Sequence, residues 1–200
     1  RFITKCSKAL GWWKKLYLMK RRDVLGYIEG GESLTVEFKQ RFSTHEKIAK
    51  ELIAFANTKG GVILFGIDDD KSIYGLESEK GEVELINETA KKYCEPPLDV
   101  NYFYFNIENR EIVAVEVLES TIKPHRIQDY KTKLDINSAE VYVRVNDKSI
   151  PASKEMIKLL QSETNDLALT NYSIGNNEKI VFEYLQKNET ITVNQLSEIA

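Results

Sequence analysis

The sequence has few of the residues that build covalent or metal-held scaffolds. Only two cysteines, Cys6 and Cys94, occur in 200 residues, and their positions give no metal-type spacing. A structural disulfide or zinc site is therefore not expected, and a reducing cytoplasm is the default compartment. No apolar run reaches the roughly 18 residues that a membrane span needs, so no membrane partner is expected. A Gly-x-x-x-x-Gly-Lys-Ser/Thr phosphate loop is also missing, so ATP binding has no sequence support.

Positive charge is scarce beyond the first 22 residues. That segment has no acidic residue and eight basic ones: Arg1, Lys5, Lys8, Lys14, Lys15, Lys20, Arg21 and Arg22. Without them, 20 basic residues face 31 acidic residues over 23–200, a net charge of −11. This balance counts against a protein whose whole surface binds phosphate. Nucleic-acid contacts must then come from a local patch, from the basic segment, or from metal ions held by carboxylates.

A strand, a helix and a second strand are predicted between residues 30 and 70. Leu34, Val36 and Phe38 alternate with polar residues, which predicts a half-buried strand over 33–39. An apolar stripe predicts a helix over 44–58. Ser43 and Glu46 form its expected capping box, which would satisfy two backbone donors. A continuous apolar run then predicts a fully buried strand over 62–67, and three aspartates follow it at 68–70.

Gly60 and Gly61 have two interpretations that the sequence leaves open. Glycine readily adopts the left-handed conformation that ends a helix, so the pair could simply stop the preceding helix. Alternatively, the pair could shape a backbone that contacts phosphate near Asn57 and Lys59.

Glu37 and Lys39 share the polar face of the first predicted strand. Their spacing is typical of metal-dependent nucleases, in which the acid holds Mg²⁺ or Mn²⁺ and the lysine approaches the phosphate. The alternative is an exposed ion pair on a strand, accompanied by a solvated acidic turn. The sequence therefore leaves open whether the protein is an enzyme.

Helices and strands are also predicted on both sides of this central unit. The segment 119–139 has no clear periodicity, and a loop this long is often functional or mobile. Its basic residues form the best internal patch, with Tyr130 available to stack on a base; the alternative is a solvated loop. Helices are expected at 23–29, 82–94 and 153–160, a hairpin at 99–107 and 111–118, and a strand at 140–146 followed by a turn at 147–149.

The chain divides into four predicted segments. The hydrophobic content of 42% excludes wholesale disorder. Residues 1–18 have two interpretations. They are a basic arm that binds nucleic acid or a membrane surface, or they are an extension ahead of a native start at Met19. The segments are a basic N-terminal extension at 1–22, an α+β domain at 23–162, a polar linker at 163–177, and the start of a winged helix-turn-helix at 178–200 that would stop before its recognition helix.

Several motifs resemble those of the Schlafen AlbA-type domain, a family described as DNA-binding. The resemblance covers about residues 23–160. The most specific part is Glu-Phe-Lys at 37–39 followed by Phe-Ala-Asn-Thr-x-Gly-Gly at 55–61. The matching stretches are 32–39, 53–61, 62–69, 123–125, 139–145 and 150–153. The resemblance implies an α+β fold, with a mixed β-sheet packed against helices, that binds nucleic acid.

In the Schlafen branch, some members cut tRNA or rRNA with three acidic residues. Carried over, these would be Glu32, Glu37 and Asp69, which would then be both catalytic residues and ligands of Mg or Mn. The zinc site of that branch is missing from this sequence, and so is any sign of the doubled domain that forms a clamp around RNA. Both departures weaken the nuclease hypothesis.

Three functional hypotheses follow from the sequence. The first is a DNA-binding domain of a cytoplasmic transcriptional regulator, and the second is a metal-dependent endoribonuclease. The third is a domain that mainly mediates self-association, as a homo-oligomer, or binding of a partner. The first two assume that the strands at 33–39 and 62–67 are adjacent, with their charged ends beside the basic loop. The residues expected to contact DNA or RNA are Lys39, Lys59, Lys123, His125, Arg126, Lys131, Lys133 and Arg144.

Overall fold

A computed structural model describes residues 19–164 and four isolated positions further on: 180, 181, 184 and 195. The predicted extension up to residue 18 lies outside the described residues. So does the predicted winged-helix start, apart from those four positions. Within the described part of the chain, none of the helices has both the length and the apolarity needed to cross a membrane.

The α+β class predicted from the sequence is confirmed by four helices and eight strands in the described part of the chain. The helices are α1 (Arg21–Gly30), α2 (His45–Asn57), α3 (Glu79–Lys92) and α4 (Lys154–Thr164). The strands are β1 (Val36–Lys39), β2 (Gly61–Phe65), β3 (Cys94–Glu95), β4 (Val100–Ile107), β5 (Arg110–Val117), β6 (Arg126–Ile127), β7 (Tyr142–Val145) and β8 (Lys148–Pro151).

The main sheet has four strands in the order β1-β2-β5-β4. β1 and β2 are parallel, and α2 connects them as the crossover that a parallel pair requires. The other two pairings are antiparallel. The predicted adjacency of the first two strands is therefore confirmed. Two small hairpins, β3–β6 and β7–β8, lie outside this sheet.

Alternating side chains divide the sheet between two hydrophobic clusters. Ile63 and Phe65 pack with α2 and α3, whereas Val62 and Leu64 pack with α1 on the opposite face. Burial on both faces explains why β2 reads as a continuous apolar run. A third, smaller cluster joins the β7–β8 hairpin to α4.

The structure corrects two local predictions. Thr44, not Ser43, caps α2: its backbone is extended, and its side chain accepts a hydrogen bond from the Lys47 amide at 3.3 Å. The expected turn at 147–149 is tighter than predicted, and β8 already begins at Lys148. Asn146 makes the earlier turn possible with a φ of 55°, a conformation that asparagine tolerates.

Close packing accounts for both glycines that end α2. Gly60 has a φ of 70°, and a Cβ atom there would lie 2.6 Å from the Val117 carbonyl oxygen. A Cβ atom on Gly61 would lie 2.4 Å from the Phe55 ring. The left-handed φ of Gly60 and the bond from its amide to the Phe55 carbonyl oxygen at 2.9 Å support the helix-stop interpretation.

Asn57, the last residue of α2, fastens the helix to the segment before β6 and to β7. Its side-chain amide donates to the carbonyl oxygens of His125 and Tyr142 at 2.9 and 3.0 Å. Its side-chain oxygen accepts from the His125 amide at 2.8 Å. Asn57 is only 2% exposed, so these backbone groups would have no water to replace it.

We expect Asn57→Ala to lower the free energy of unfolding by about 3 kcal/mol, because three buried hydrogen bonds are lost. Urea denaturation measures this change. The control is Asn101→Ala, which removes one exposed bond to Glu116 and should change stability by less than about 0.5 kcal/mol. Equal losses in the two variants would contradict the role assigned to Asn57.

Candidate nucleic-acid interface

Arg144 of β7 is the buried centre of the charged residues. Its Nη1 donates to Glu37 Oε2 at 2.7 Å and to Glu51 Oε2 at 3.3 Å. Its Nη2 donates to the Ser33 carbonyl oxygen at 2.6 Å. The side chain has no exposed surface. The prediction that Arg144 contacts nucleic acid is therefore wrong, because the guanidinium is buried and bonds to groups inside the protein.

Glu37 is engaged at both oxygens. Arg144 donates to Oε2, and the Lys39 ammonium donates to Oε1. Lys39 also donates to the Phe38 carbonyl oxygen at 2.9 Å. Since Glu37 is only 7% exposed, its carboxylate serves first as the internal counter-ion of two cations.

The outer edge of β1 is closed by side chains. Glu32 Oε1 accepts from the Phe38 amide at 3.0 Å. Arg144 Nη2 donates to the Val36 carbonyl oxygen at 3.4 Å. These bonds occupy backbone groups that would otherwise pair with another strand, so the sheet ends at β1.

Glu32, Glu37 and Asp69, the predicted acidic trio, are electrostatic neighbours. Burial raises the pKa of Glu32; the Phe38 amide and Lys39 lower it, and the carboxylates of Glu37 and Asp69 raise it further. Among the described residues, however, no group of three or more His, Cys, Asp or Glu side chains is arranged to hold a metal ion. The trio lies in one region without forming a ready ligand set.

A cleft of about 520 Å³ opens where the carboxyl ends of β1 and β2 meet the start of α2. Lys39, Lys47 and Lys50 line it together with the polar side chains of Gln40 and Ser43. Ligands of open α/β sheets commonly bind at the carboxyl ends of parallel strands. The N-terminal turn of α2 adds partial positive charge to this place.

Acidic side chains line the same cleft, but two of the three already have partners. Glu51 accepts hydrogen bonds from Arg144 and Ser149. Asp68 accepts from the Gln40 side chain. Asp69 is exposed at the rim. Because Gln40 is neutral, Asp68 keeps its charge, and the lysines are opposed by both Asp68 and Asp69.

Three residues of the predicted basic loop point into the protein. The Lys123 ammonium lies 2.7 Å from Glu119 and 3.1 Å from Glu163, and its side chain is 7% exposed. Arg126 pairs with Asp129 at 3.2 Å and donates to the Lys131 carbonyl oxygen at 2.6 Å. His125 is 3% exposed. Their predicted contacts with nucleic acid are wrong for this fold, because these groups are buried or neutralised.

Lys59, Lys131 and Lys133 are exposed, as a contact with a polyanion requires. The loop meets α2 from two sides. The His125 backbone bonds to Asn57 at the last turn of the helix. The Gln128 amide donates to the Tyr93 carbonyl oxygen at 3.0 Å, and the Tyr93 ring stacks on His45, the first residue of α2, with ring centroids 4.3 Å apart. That the basic loop and the charged strand ends form one surface stays a prediction.

Comparison with known proteins agrees with this architecture. The family model described as "Schlafen, AlbA_2" matches residues 32–153, more than half of the chain. The chain belongs to the Schlafen AlbA_2 family. An uncharacterized ATP-binding protein of Ureaplasma parvum serovar 3 is 28% identical over 165 residues, covering 73% of this chain and 45% of that protein. The chain thus spans a little less than half the length of this curated relative.

Two solved structures align with parts of the chain. The DIP2311 protein of Corynebacterium diphtheriae aligns with a TM-score of 0.49 and 17% identity, over 80% of this chain and 31% of that one. The N-terminal domain of a RecG-related protein of Nitrosomonas europaea aligns with a TM-score of 0.48 and 21% identity, over 58% of this chain and 84% of that one.

Four residues of this Schlafen AlbA_2 domain that matter to the site were not predicted from the sequence. Glu51 and Ser149 complete the network around Arg144. Lys47 and Lys50 supply two of the three lysines in the cleft. A signal for these lysines was present, because residues three apart share a helix face and this helix directly follows the first strand.

We expect Arg144→Ala to lower the free energy of unfolding by about 3–5 kcal/mol, because it leaves the carboxylates of Glu37 and Glu51 partly buried without their cation. Chemical denaturation measures this loss. Lys148→Ala, at an exposed position of the same hairpin, is the control and should stay within about 0.5 kcal/mol of the unmodified chain. A loss below about 1 kcal/mol for Arg144→Ala would refute the central role of the guanidinium.

His125 should make stability depend on pH. Its Nδ1 donates to the Pro96 carbonyl oxygen at 2.8 Å, and its Nε2 lies 2.7 Å from the Ser120 hydroxyl. Burial lowers the pKa of His125 below its ordinary value of 6.5, opposed by the Pro96 bond and the Glu95 carboxylate. The unfolded chain therefore takes up this proton more readily than the folded one.

Stability should consequently fall as pH drops below about 6.5, over the range in which unfolded His125 is protonated and folded His125 is neutral. The measurement is the free energy of unfolding from about one pH unit above 6.5 down to about pH 5. His125→Gln should show a flatter profile, because the titrating group is gone while carboxylate titration remains. An unchanged slope in this variant would assign the pH dependence to other groups.

Proposed function

We propose that this Schlafen AlbA_2 domain binds nucleic acid, with duplex DNA as its target in a transcriptional regulator. The observation that carries the proposal is the convergence of Lys39, Lys47 and Lys50 on one cleft beside the start of α2. Three ammonium groups can contact successive phosphates, and the Gln40 and Ser43 side chains can donate hydrogen bonds to phosphate oxygens.

The cleft fits a contact that is local and sensitive to salt. Within the described part of the chain, neither Lys47 nor Lys50 forms an ion pair, whereas Lys39 is tied to Glu37. Lys50 also lies 5.6 Å from the centre of the Tyr142 ring, which holds its charge beside the cleft. A site with two unpaired lysines would release few counter-ions, so binding should be weaker than that of a strongly basic protein.

A metal-dependent ribonuclease is the second candidate. The proximity of the three carboxylates supports it: burial is the main cause of the raised pKa of Glu32, and the carboxylates of Glu37 and Asp69 lie near enough to raise it further. Against it, the partners of Glu37 are Arg144 and Lys39. Replacing Glu37 would therefore disturb the fold as well as any chemistry. Asp69 is exposed and gives a cleaner test.

ATP binding, which the name of the Ureaplasma relative states for that protein, is not proposed here. The chain lacks the glycine-rich phosphate loop that would cradle the phosphates of a nucleotide.

We expect Lys47→Glu to weaken binding of a DNA duplex about tenfold and to reduce the salt slope of log Kd by about one. Fluorescence anisotropy at several salt concentrations measures both quantities. The matched control is Lys133→Glu, the same charge reversal in the basic loop. If the cleft is the contact surface, this variant should change the affinity less than about twofold, well below the roughly tenfold loss at a phosphate contact.

Two results would decide against the cleft. Absence of salt-sensitive binding to duplex DNA and to structured RNA at low salt would refute the nucleic-acid proposal. An equal loss in Lys133→Glu would move the contact to the basic loop. Mn²⁺-dependent cleavage of structured RNA that disappears in Asp69→Asn, with the fold intact, would instead establish the ribonuclease.

A further inference from the structure

β4 is the second edge of the main sheet, and it is built differently from the closed edge at β1. Its eight residues, Val100–Ile107, carry no charge and no proline, and four consecutive aromatic residues occupy its centre. Edge strands that stay single usually have lysine, proline or a bulge that prevents pairing. Among the described residues, β5 is the one strand that pairs with β4.

The hairpin turn shows which backbone groups of β4 face outward. Glu108 and Asn109 have φ values of 54° and 60°, the left-handed pair of a type I′ turn. Such a turn makes Ile107 and Arg110 a hydrogen-bonded pair, and bonded pairs alternate along an antiparallel ladder. The odd-numbered residues of β4 therefore bond to β5. The amides and carbonyls of Val100, Tyr102, Tyr104 and Asn106 point away from it.

We propose that β4 pairs antiparallel with β4 of a second copy of this chain, joining the two four-stranded sheets into one of eight strands. The outward edge is uncharged and long enough for a regular ladder. Tyr104, at its middle, has 53% of its surface exposed. Pairing would satisfy the outward amides and carbonyls and cover these aromatic side chains.

Symmetry restricts the register of this pairing. A two-fold axis perpendicular to the sheet keeps side chains on their own face, so directly opposite residues have numbers of equal parity. Centring the axis on Phe103 uses the whole strand. Tyr102 then lies opposite Tyr104 of the second copy, and Val100 lies opposite Asn106. About eight backbone hydrogen bonds result, because each of the four bonded pairs contributes two.

The assembly closes at two copies because the other edge is blocked. Glu32 and Arg144 already bond to the outer backbone groups of β1. A second interface of the same kind cannot form there, so pairing gives a dimer instead of a fibre.

The distance between the two β1 strands of the dimer would also match the spacing of half-sites on duplex DNA. Seven strand spacings of about 4.8 Å separate the two β1 strands, roughly 34 Å before twist is considered. That is close to the 34–36 Å between half-sites one helical turn apart. This correspondence rests on the proposed DNA binding, whereas the pairing itself does not.

Hydrogen exchange without nucleic acid tests the pairing directly. With the full chain at concentrations above and below the dimer midpoint from sedimentation velocity, residue-resolved NMR compares outward and inward amides of β4. We expect the Tyr102 and Tyr104 amides to be protected only in the dimer, and the Phe103 and Phe105 amides to be protected in both states. A monomer at all concentrations, or outward amides that exchange freely in a dimer, would overturn the inference.

A proline substitution supplies the second test. Tyr104→Pro removes an outward amide without removing a bond to β5, and the two-fold axis doubles its effect. We expect dimer affinity to fall about thirtyfold relative to Tyr104→Thr, which keeps the amide. Equal affinities in two folded variants would contradict the pairing. If Tyr104→Pro does not fold, the amide hydrogen exchange of the unmodified chain decides whether the pairing occurs.

The dimer and the proposed function fail separately. A monomer that binds DNA refutes only the dimer, and a dimer without DNA binding refutes only the proposed function.

Discussion

The structure depends on the buried ion pair between Arg144 and Glu37. The guanidinium comes from the β7–β8 hairpin, one carboxylate from the edge strand β1, and a second, that of Glu51, from α2. Removing these charges from water is unfavourable, and the hydrogen bonds to Glu37, Glu51 and Ser33 offset that desolvation. Three elements that are distant in sequence are thereby held in one relative position, and this position shapes the cleft beside Lys39.

This constraint changes the meaning of the charged motif. Glu32 and Glu37, which the family resemblance assigns to catalysis, are also the residues that end the sheet and neutralise the buried arginine. A domain that uses its acidic residues in this way can keep the fold without the chemistry. The accessible charge then lies at the rim of the cleft, where Lys47 and Asp69 are both exposed.

The sequence predicted the fold well because its signals are local. Three patterns each predict which of their own residues are buried: the alternation around Val36 and Phe38, the apolar stripe of α2, and the apolar run of β2. The site was harder to predict. Tyr142 and Arg144 share the polar face of their strand, which suggested exposure, but the hairpin lays that face against α2. Likewise, the pairing of Lys123 with Glu119 and Glu163 depends on how the loop and α4 meet, which no periodicity reports.

The claim that most needs testing is that the cleft, and not the basic loop, receives nucleic acid. Amide chemical-shift mapping of the full chain during titration with a short DNA duplex tests it directly. The account predicts that the largest shifts lie at Lys39, Gln40, Lys47, Lys50 and Asp69. Shifts concentrated at Lys131 and Lys133, with the cleft unaffected, would contradict it.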